Sequence, residues 1–188
     1  MQTYGATWIS ALLILANYAL KALVPWFPIS CICVVAGVLF KWYYAILINI
    51  AGLIILFTIR FFWGKKFGAG NAEKILNQYV SVKNIIDSDS LSSSIVLFGL
   101  RLSPVVPINS VSSIYGTTDI DYKRYIILSL AGFSYKLFSY TVIGRNVFDP
   151  ASASFIVPFV LLLLLSGFVM LSLSGALSAL SQRKKNKQ

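Results

Sequence analysis

Polar residues are sparse along this chain and fall in clusters, dividing it into apolar runs separated by short polar or proline-bearing breaks. Residues 6–23 form the first run, carrying Ser10, Asn17 and Lys21, and its length is what a bilayer-spanning helix needs. Residues 25–40, PWFPISCICVVAGVLF, are shorter and open with two prolines, which block regular helix hydrogen bonding at the start. They predict a re-entrant hairpin rather than a crossing. Residues 42–62 predict a second span, edged by Trp42, Tyr43 and Tyr44 and by Phe61, Phe62 and Trp63, where interfacial aromatics belong. Residues 64–94 turn polar and read as a loop. Within it Ile75, Leu76, Tyr79, Val82 and Ile86 recur at helical spacing, which predicts an amphipathic helix on the membrane surface or over the protein's own end. Residues 95–115 are long enough to cross but carry Arg101, Pro104, Pro107, Asn109 and several serines, a poor face for lipid, and predict a second hairpin. Residues 123–144 and the Leu-rich 155–180 complete the spans, and the chain ends in the basic tail 181–188. The expected fold is an all-α integral membrane domain of residues 1–188, with about four full transmembrane helices and two hairpins.

The breaks themselves repeat. Pro25, Pro28, Gly37, Gly52 and Gly64 recur in the same order and at nearly the same spacing as Pro104, Pro107, Gly116, Gly132 and Gly144. Matched Pro-interrupted segments in two halves of a hydrophobic chain are the mark of a duplicated transporter scaffold, whose path lies at the broken segments. The prolines free backbone groups at the hairpins, and the glycines permit close helix approach.

Composition strengthens the membrane reading: 57% of residues are hydrophobic and 12% charged, with no histidine. The formal net charge of +10 would point to nucleic acid in a soluble chain, but here the basic residues flank apolar runs, so no nucleic acid is expected. If both hairpins return to the side they entered, Lys65, Lys66, Lys74, Lys83, Lys123, Arg124 and the tail share one side, while Lys21, Lys41 and Arg145 oppose them. That asymmetry predicts cytoplasmic termini at both ends and an inverted pair of hairpins whose tips meet near the midplane. The first run leads into Lys21 and Pro25 without a signal-peptide cleavage pattern, so it reads as a retained helix. Cys31 and Cys33 match no metal pattern, and neither metal nor cofactor is expected.

Charge also selects candidate site residues. All six acidic residues, Glu73, Asp87, Asp89, Asp119, Asp121 and Asp149, fall in predicted loops or at interfaces, whereas Arg60, Arg101 and Lys136 fall inside membrane segments. An unpaired cation at a helix centre costs about 2.5 to 3.5 kcal/mol. Compensation must come from backbone carbonyls at the hairpin breaks, from water, or from a lipid phosphate, which Arg binds in bidentate fashion. Arg60 lies near Trp63 at a span's end and can instead snorkel to the surface. Ser103, Asn109, Ser110, Ser112 and Ser113 would wet the second hairpin or satisfy its freed backbone. No nucleophile with a base, buried acid pair or phosphate loop is present, so enzymatic chemistry is not expected.

The segment FGLRLSPVVPINSVSSIYG at 98–116, followed by TTDIDYKRYIILSLAGF and YTVIGRN, resembles the second half of the VTT-domain family, also called the SNARE-associated Golgi or DedA-like superfamily. PWFPISCICVVAGVLFKWYYAILINIAGLIILFTIRFFWGKKFG resembles its first half, and the likeness covers residues 23–150. The resemblance implies two opposed re-entrant hairpins and a role in moving lipids, as phospholipid scramblases or lipid-carrier translocases. Arg101 matches the family's arginine before the proline pair, and Pro104 and Pro107 match the hairpin prolines. Residues 24–40 lack the acidic residue of the bacterial branch, which places the chain nearer the yeast-type Golgi branch and removes the carboxylate that proton coupling would use. The proline that often follows the glycine matching Gly132 is also absent.

The leading expectation is a lipid scramblase or flippase for phospholipids with anionic headgroups, independent of ATP. Alternatives are a non-transporting membrane organiser or trafficking scaffold, recruiting protein partners through residues 64–94 and the tail, and a small-ion or metabolite transporter. A homodimer is compatible with the sequence. The short chain favours a bacterial plasma membrane over an endomembrane.

Overall fold

A proline, a capping aspartate or a glycine marks several of the helix boundaries. The computed structural model describes residues 8–24, 28–68, 94–103 and 106–185, with only the backbone at 95, 169, 170 and 172–185. These residues form seven helices and no strand: α1 (Trp8–Leu23), α2 (Ile29–Leu39), α3 (Trp42–Phe67), α4 (Ser94–Leu102), α5 (Ile108–Tyr115), α6 (Tyr122–Arg145) and α7 (Ala153–Lys185). Pro28 and Pro107 precede α2 and α5 with extended ψ of 129° and 125°. A residue without an N–H loses nothing at a helix start, where donors are unpaired in any case. Asp121 caps α6 by accepting from the amides of Lys123 and Arg124. Gly68 ends α3 in the left-handed region at φ 76°, its N–H bonded to the Gly64 carbonyl. The helix therefore runs through Lys65 and Lys66, and the loop expected from residue 64 begins only at Gly68. Pro25, Pro104, the surface helix expected within 64–94 and the end of the basic tail lie outside the described residues.

Side-chain contacts fix the helix directions. The Tyr18 ring lies over Gly52, and Arg60 reaches the carbonyl of Leu23, so α1 and α3 run in the same direction. α2 ends at Leu39, just before α3 begins at Trp42, and offers its Cys33 carbonyl to Asn49, so it returns to the start of α3. α1 and α2 are thus the two antiparallel arms of one helical hairpin, with Pro28 opening the second. The second half follows the same course: Arg101 packs on Gly132 and Ser103 meets Lys136, so α4 runs with α6. Asn49 meets Thr141 while Thr58 meets Tyr122, making α3 and α6 antiparallel.

Residues 6–23, expected to be a separate span, and residues 25–40, expected to be a hairpin of their own, meet here as the neighbouring antiparallel helices α1 and α2. α1 is 16 residues long, and carbonyls in its last turn are taken by Arg60 and Asn109 instead of a further turn. Where four full spans were expected, two described helices, α3 with 26 residues and α6 with 24, are long and apolar enough to cross a membrane. α7 has 33 residues, of which the apolar stretch Ala153–Phe168 is described in that respect. Leu161, Leu163, Leu164, Leu165 and Phe168 on α7 and Leu12, Leu13 and Leu20 on α1 are exposed. Such broad apolar faces suit lipid, not water.

The halves interlock through glycine. A methyl on Gly37 of α2 would overlap the Thr141 carbonyl on α6, and one on Gly144 would overlap the Val34 backbone. The other crossing, α5 on α3, sets Gly116 against the Phe61 carbonyl and Gly64 against Ser113. Gly37 and Gly116 are matched positions of the sequence repeat, as are Gly64 and Gly144, so each glycine contact in one crossing has its counterpart in the other. Each short helix therefore packs on the long helix of the opposite half, with backbones too close for any side chain between them.

Candidate functional site

Arg101 occupies the last turn of α4, where the chain breaks before α5, and is only 2% exposed. Nε donates to Ser129 Oγ at 3.2 Å and Nη1 to the Ile108 carbonyl at 3.1 Å. Nη2 donates to Ser112 Oγ at 2.8 Å and to the Tyr125 hydroxyl at 2.9 Å. The guanidinium carbon lies 4.3 Å from the centroid of the Phe57 ring. Every one of these partners is neutral, and no Asp or Glu occurs in α4, α5 or α6. Hydroxyl dipoles and the negative ring face solvate the cation without cancelling it. The site is thus a preformed positive centre inside an apolar body, the arrangement that favours an anion most strongly.

Lys136 sits beside it, 6% exposed, with Nζ donating to the carbonyls of Arg101 at 3.0 Å and Ser103 at 2.8 Å. Tyr135 donates its hydroxyl to the Leu102 carbonyl between them at 2.8 Å. The end of α4 is therefore capped by side chains of α6, a cation on the negative pole of the helix. Arg60 does the same for α1, donating Nη2 to the Leu23 carbonyl at 3.3 Å. Asn109 ties the two hairpins together, donating to the Lys21 carbonyl at 3.0 Å. Backbone carbonyls at the hairpin breaks are thus partners of both Lys136 and Arg60. Ser103 and Ser110 are buried here, and Ser112 and Ser113 also bond back to the carbonyls of Ile108 and Asn109.

The structure brings Arg101, Lys136 and Ser103 into one cluster and sets Arg60 and Asn109 at the end of α1. It also reveals partners that the sequence reading left unnamed, Tyr125 and Ser129 on α6, and a second buried polar centre in the first half. There the Tyr18 hydroxyl donates to Asn49 Oδ1 at 3.0 Å and lies 3.1 Å from Cys33 Sγ, while Asn49 Nδ2 donates to Thr141 Oγ1 at 2.9 Å. In the register set by Gly37 with Gly116 and Gly52 with Gly132, Cys33 corresponds to Ser112 and Asn49 to Ser129. The same two positions in each half thus build a polar centre, neutral in the first and cationic in the second. A polar residue inside an apolar span at the repeat offset was the signal that could have found both. Among the described residues, no group of three or more His, Cys, Asp or Glu is placed to hold a metal.

Long apolar helices, short proline-broken helices and a polar interior under an apolar surface define a helical membrane protein. More narrowly, the VTT domain family model matches residues 27–146, from the approach to α2 through the end of α6, and the chain belongs to that family. No curated protein and no solved structure matches the chain.

Proposed function

We propose that the protein is a lipid transporter, a phospholipid scramblase or flippase. Headgroups pass between the two hairpins while the tails stay in the bilayer. The observation that carries this reading is Arg101, a buried guanidinium held only by neutral partners at the break between α4 and α5. A phosphate arriving there exchanges hydroxyl partners for a bidentate charge-assisted contact, which is stronger. Membership of the VTT family and the opposed courses of the α1/α2 and α4/α5 hairpins support an inverted repeat with re-entrant hairpins and a path open to alternate sides. No nucleotide-binding motif and no acidic residue in any of the helices α1 to α6 is available to drive transport, so the movement is passive and involves no enzymatic step.

The parallel course of α1 and α3 alters the expected orientation. Lys65 and Lys66 close α3 at the end where Lys123 and Arg124 open α6, and the positive-inside rule makes that end cytoplasmic. The start of α1 belongs to the other end, beside Trp42. α7 packs back along α6 and carries the chain to the cytoplasmic end. On this orientation we infer that the start of α1 and the end of α7 lie on opposite sides, where the sequence reading expected both termini on one.

The test uses purified protein in liposomes containing fluorescent phospholipid, with dithionite added outside. Wild type exposes the inner-leaflet probe to bleaching, and inserted protein that leaves that half protected ends the proposal. Arg101→Gln lowers the rate at least about tenfold, as loss of a charged hydrogen-bond donor implies. The 2% exposure of Arg101 favours a second reading, a purely architectural clamp. Under that reading Arg101→Gln lowers thermal stability in step with transport. Lost transport at an unchanged melting temperature excludes it.

A further inference from the structure

The end of α1 holds a second concentration of unmet chemistry, separate from Arg101. Lys21, 9% exposed, and Arg60 lie within electrostatic reach of each other there. No Asp or Glu occurs in α1, α2, α3 or α5, the helices that form this junction. Arg60 commits Nη2 to the Leu23 carbonyl, yet its Nε is buried without a partner. Asn109, 7% exposed, commits Nδ2 to the Lys21 carbonyl, yet its Oδ1 is also buried without a partner. The carbonyls that anchor these side chains, those of Leu23 and Lys21, both belong to the last turn of α1. The last turn of α1 therefore anchors both a cation with an orphan donor and a neutral amide with an orphan acceptor. Buried polar groups left in this state are costly unless something arrives to meet them.

We propose that this junction is a headgroup station for a phosphate ester whose alcohol carries an N–H or O–H, and that Asn109 is its specificity-determining residue. The inference rests on the lipid-transport reading and adds a second stop, on the first half, to that path. The phosphate meets Arg60 Nε, and the ammonium or hydroxyl of the headgroup donates to Asn109 Oδ1. Ethanolamine, serine and glycerol headgroups supply that donor. Choline, whose nitrogen carries only methyl groups, does not. A free phosphate shares the anionic half of this chemistry, so it serves as the competing source in the test.

Binding is read on the full-length protein in detergent, by isothermal titration with short-chain phosphatidylethanolamine, phosphatidylcholine and inorganic phosphate. The expected result is about tenfold tighter binding of the ethanolamine lipid than of the choline lipid, the worth of one buried hydrogen bond. Asn109→Leu brings the ratio to about one by weakening only the ethanolamine lipid, and Arg60→Gln weakens both lipids by about tenfold or more. Equal affinities in wild type, or a preference that survives Asn109→Leu, overturn the proposal. Inorganic phosphate binding as tightly as the ethanolamine lipid also overturns it. If Asn109→Leu shows no cooperative unfolding, Arg60→Gln decides, and unchanged lipid affinity in that variant overturns the station. Because binding needs no transport, headgroup preference with no lipid movement removes the transporter reading but not the station. Lipid movement with equal affinities does the reverse.

Discussion

Asn49 shows how much one side chain can hold in this interior. Its amide joins Tyr18 on α1, the Cys33 carbonyl on α2 and Thr141 on α6, so it ties the first hairpin to both long helices. Replacing it by leucine leaves the Tyr18 and Thr141 hydroxyls to find other partners. Asn49→Leu is expected to destabilise the protein by about 1 to 3 kcal/mol, read as a lower unfolding midpoint in detergent. Thr141→Val removes a single interhelical bond and is expected to cost about 0.6 kcal/mol in the same measurement. At this scale the sequence was legible where a charge stood in an apolar run, which is how Arg101 and Lys136 came forward. Tyr125 and Ser129 were not, because a tyrosine or serine in a membrane helix is unremarkable until its neighbour is known. Their role comes from α4 lying along α6, a pairing that no local pattern in either helix announces.

The unit that matters between residue and fold is the pair of glycine crossings, α2 on α6 and α5 on α3. A methyl at Gly37 or Gly116 meets backbone, which cannot rotate away as a side chain can. Gly37→Ala and Gly116→Ala are each expected to lower stability by about 1 to 3 kcal/mol, since the helices must part to admit the added carbon. Gly167 on α7 has nothing within 4 Å of where the methyl would go. Gly167→Ala is therefore expected to be neutral or to gain up to about 1 kcal/mol from helix propensity. Thermal unfolding of the three variants side by side checks both statements. The glycines and prolines were visible as a repeated spacing, and short helices follow Pro28 and Pro107. Which helix each glycine meets was not visible. Periodicity describes a helix's own faces, while these contacts join residues from opposite halves of the chain, such as Gly37 with Thr141.

Over the whole molecule, the largest difference from the sequence reading is the course of α1. An apolar run the length of α1 has the same composition whether it crosses the bilayer or turns back at its tip, so length and hydropathy could not separate the two. The contacts of Tyr18 with Gly52 and of Arg60 with the Leu23 carbonyl together set α1 beside α3 in the same direction, which a separate span ahead of a hairpin at 25–40 would not give. Under the proposed orientation the two termini lie on opposite sides. Single cysteines added at each terminus, probed in intact cells or sealed vesicles with a membrane-impermeant thiol reagent, are expected to label from different sides. Labelling of both from one side would restore α1 as a separate crossing.

The absence of acidic residues from each of the helices α1 to α6 has an electrical consequence. Arg101 and Lys136 are bonded to neutral oxygens of neighbouring helices, so a rearrangement that shifts them along the membrane normal carries net charge with it. Each elementary charge moved through the full field is worth about 2.3 kcal/mol per 100 mV. An energised membrane would therefore bias the conformational balance of this protein, and a phosphate seated on Arg101 would relieve part of that bias. On the proposed function, cargo and voltage would then act on the same coordinate, so the rate of lipid movement would follow the potential of the membrane around it.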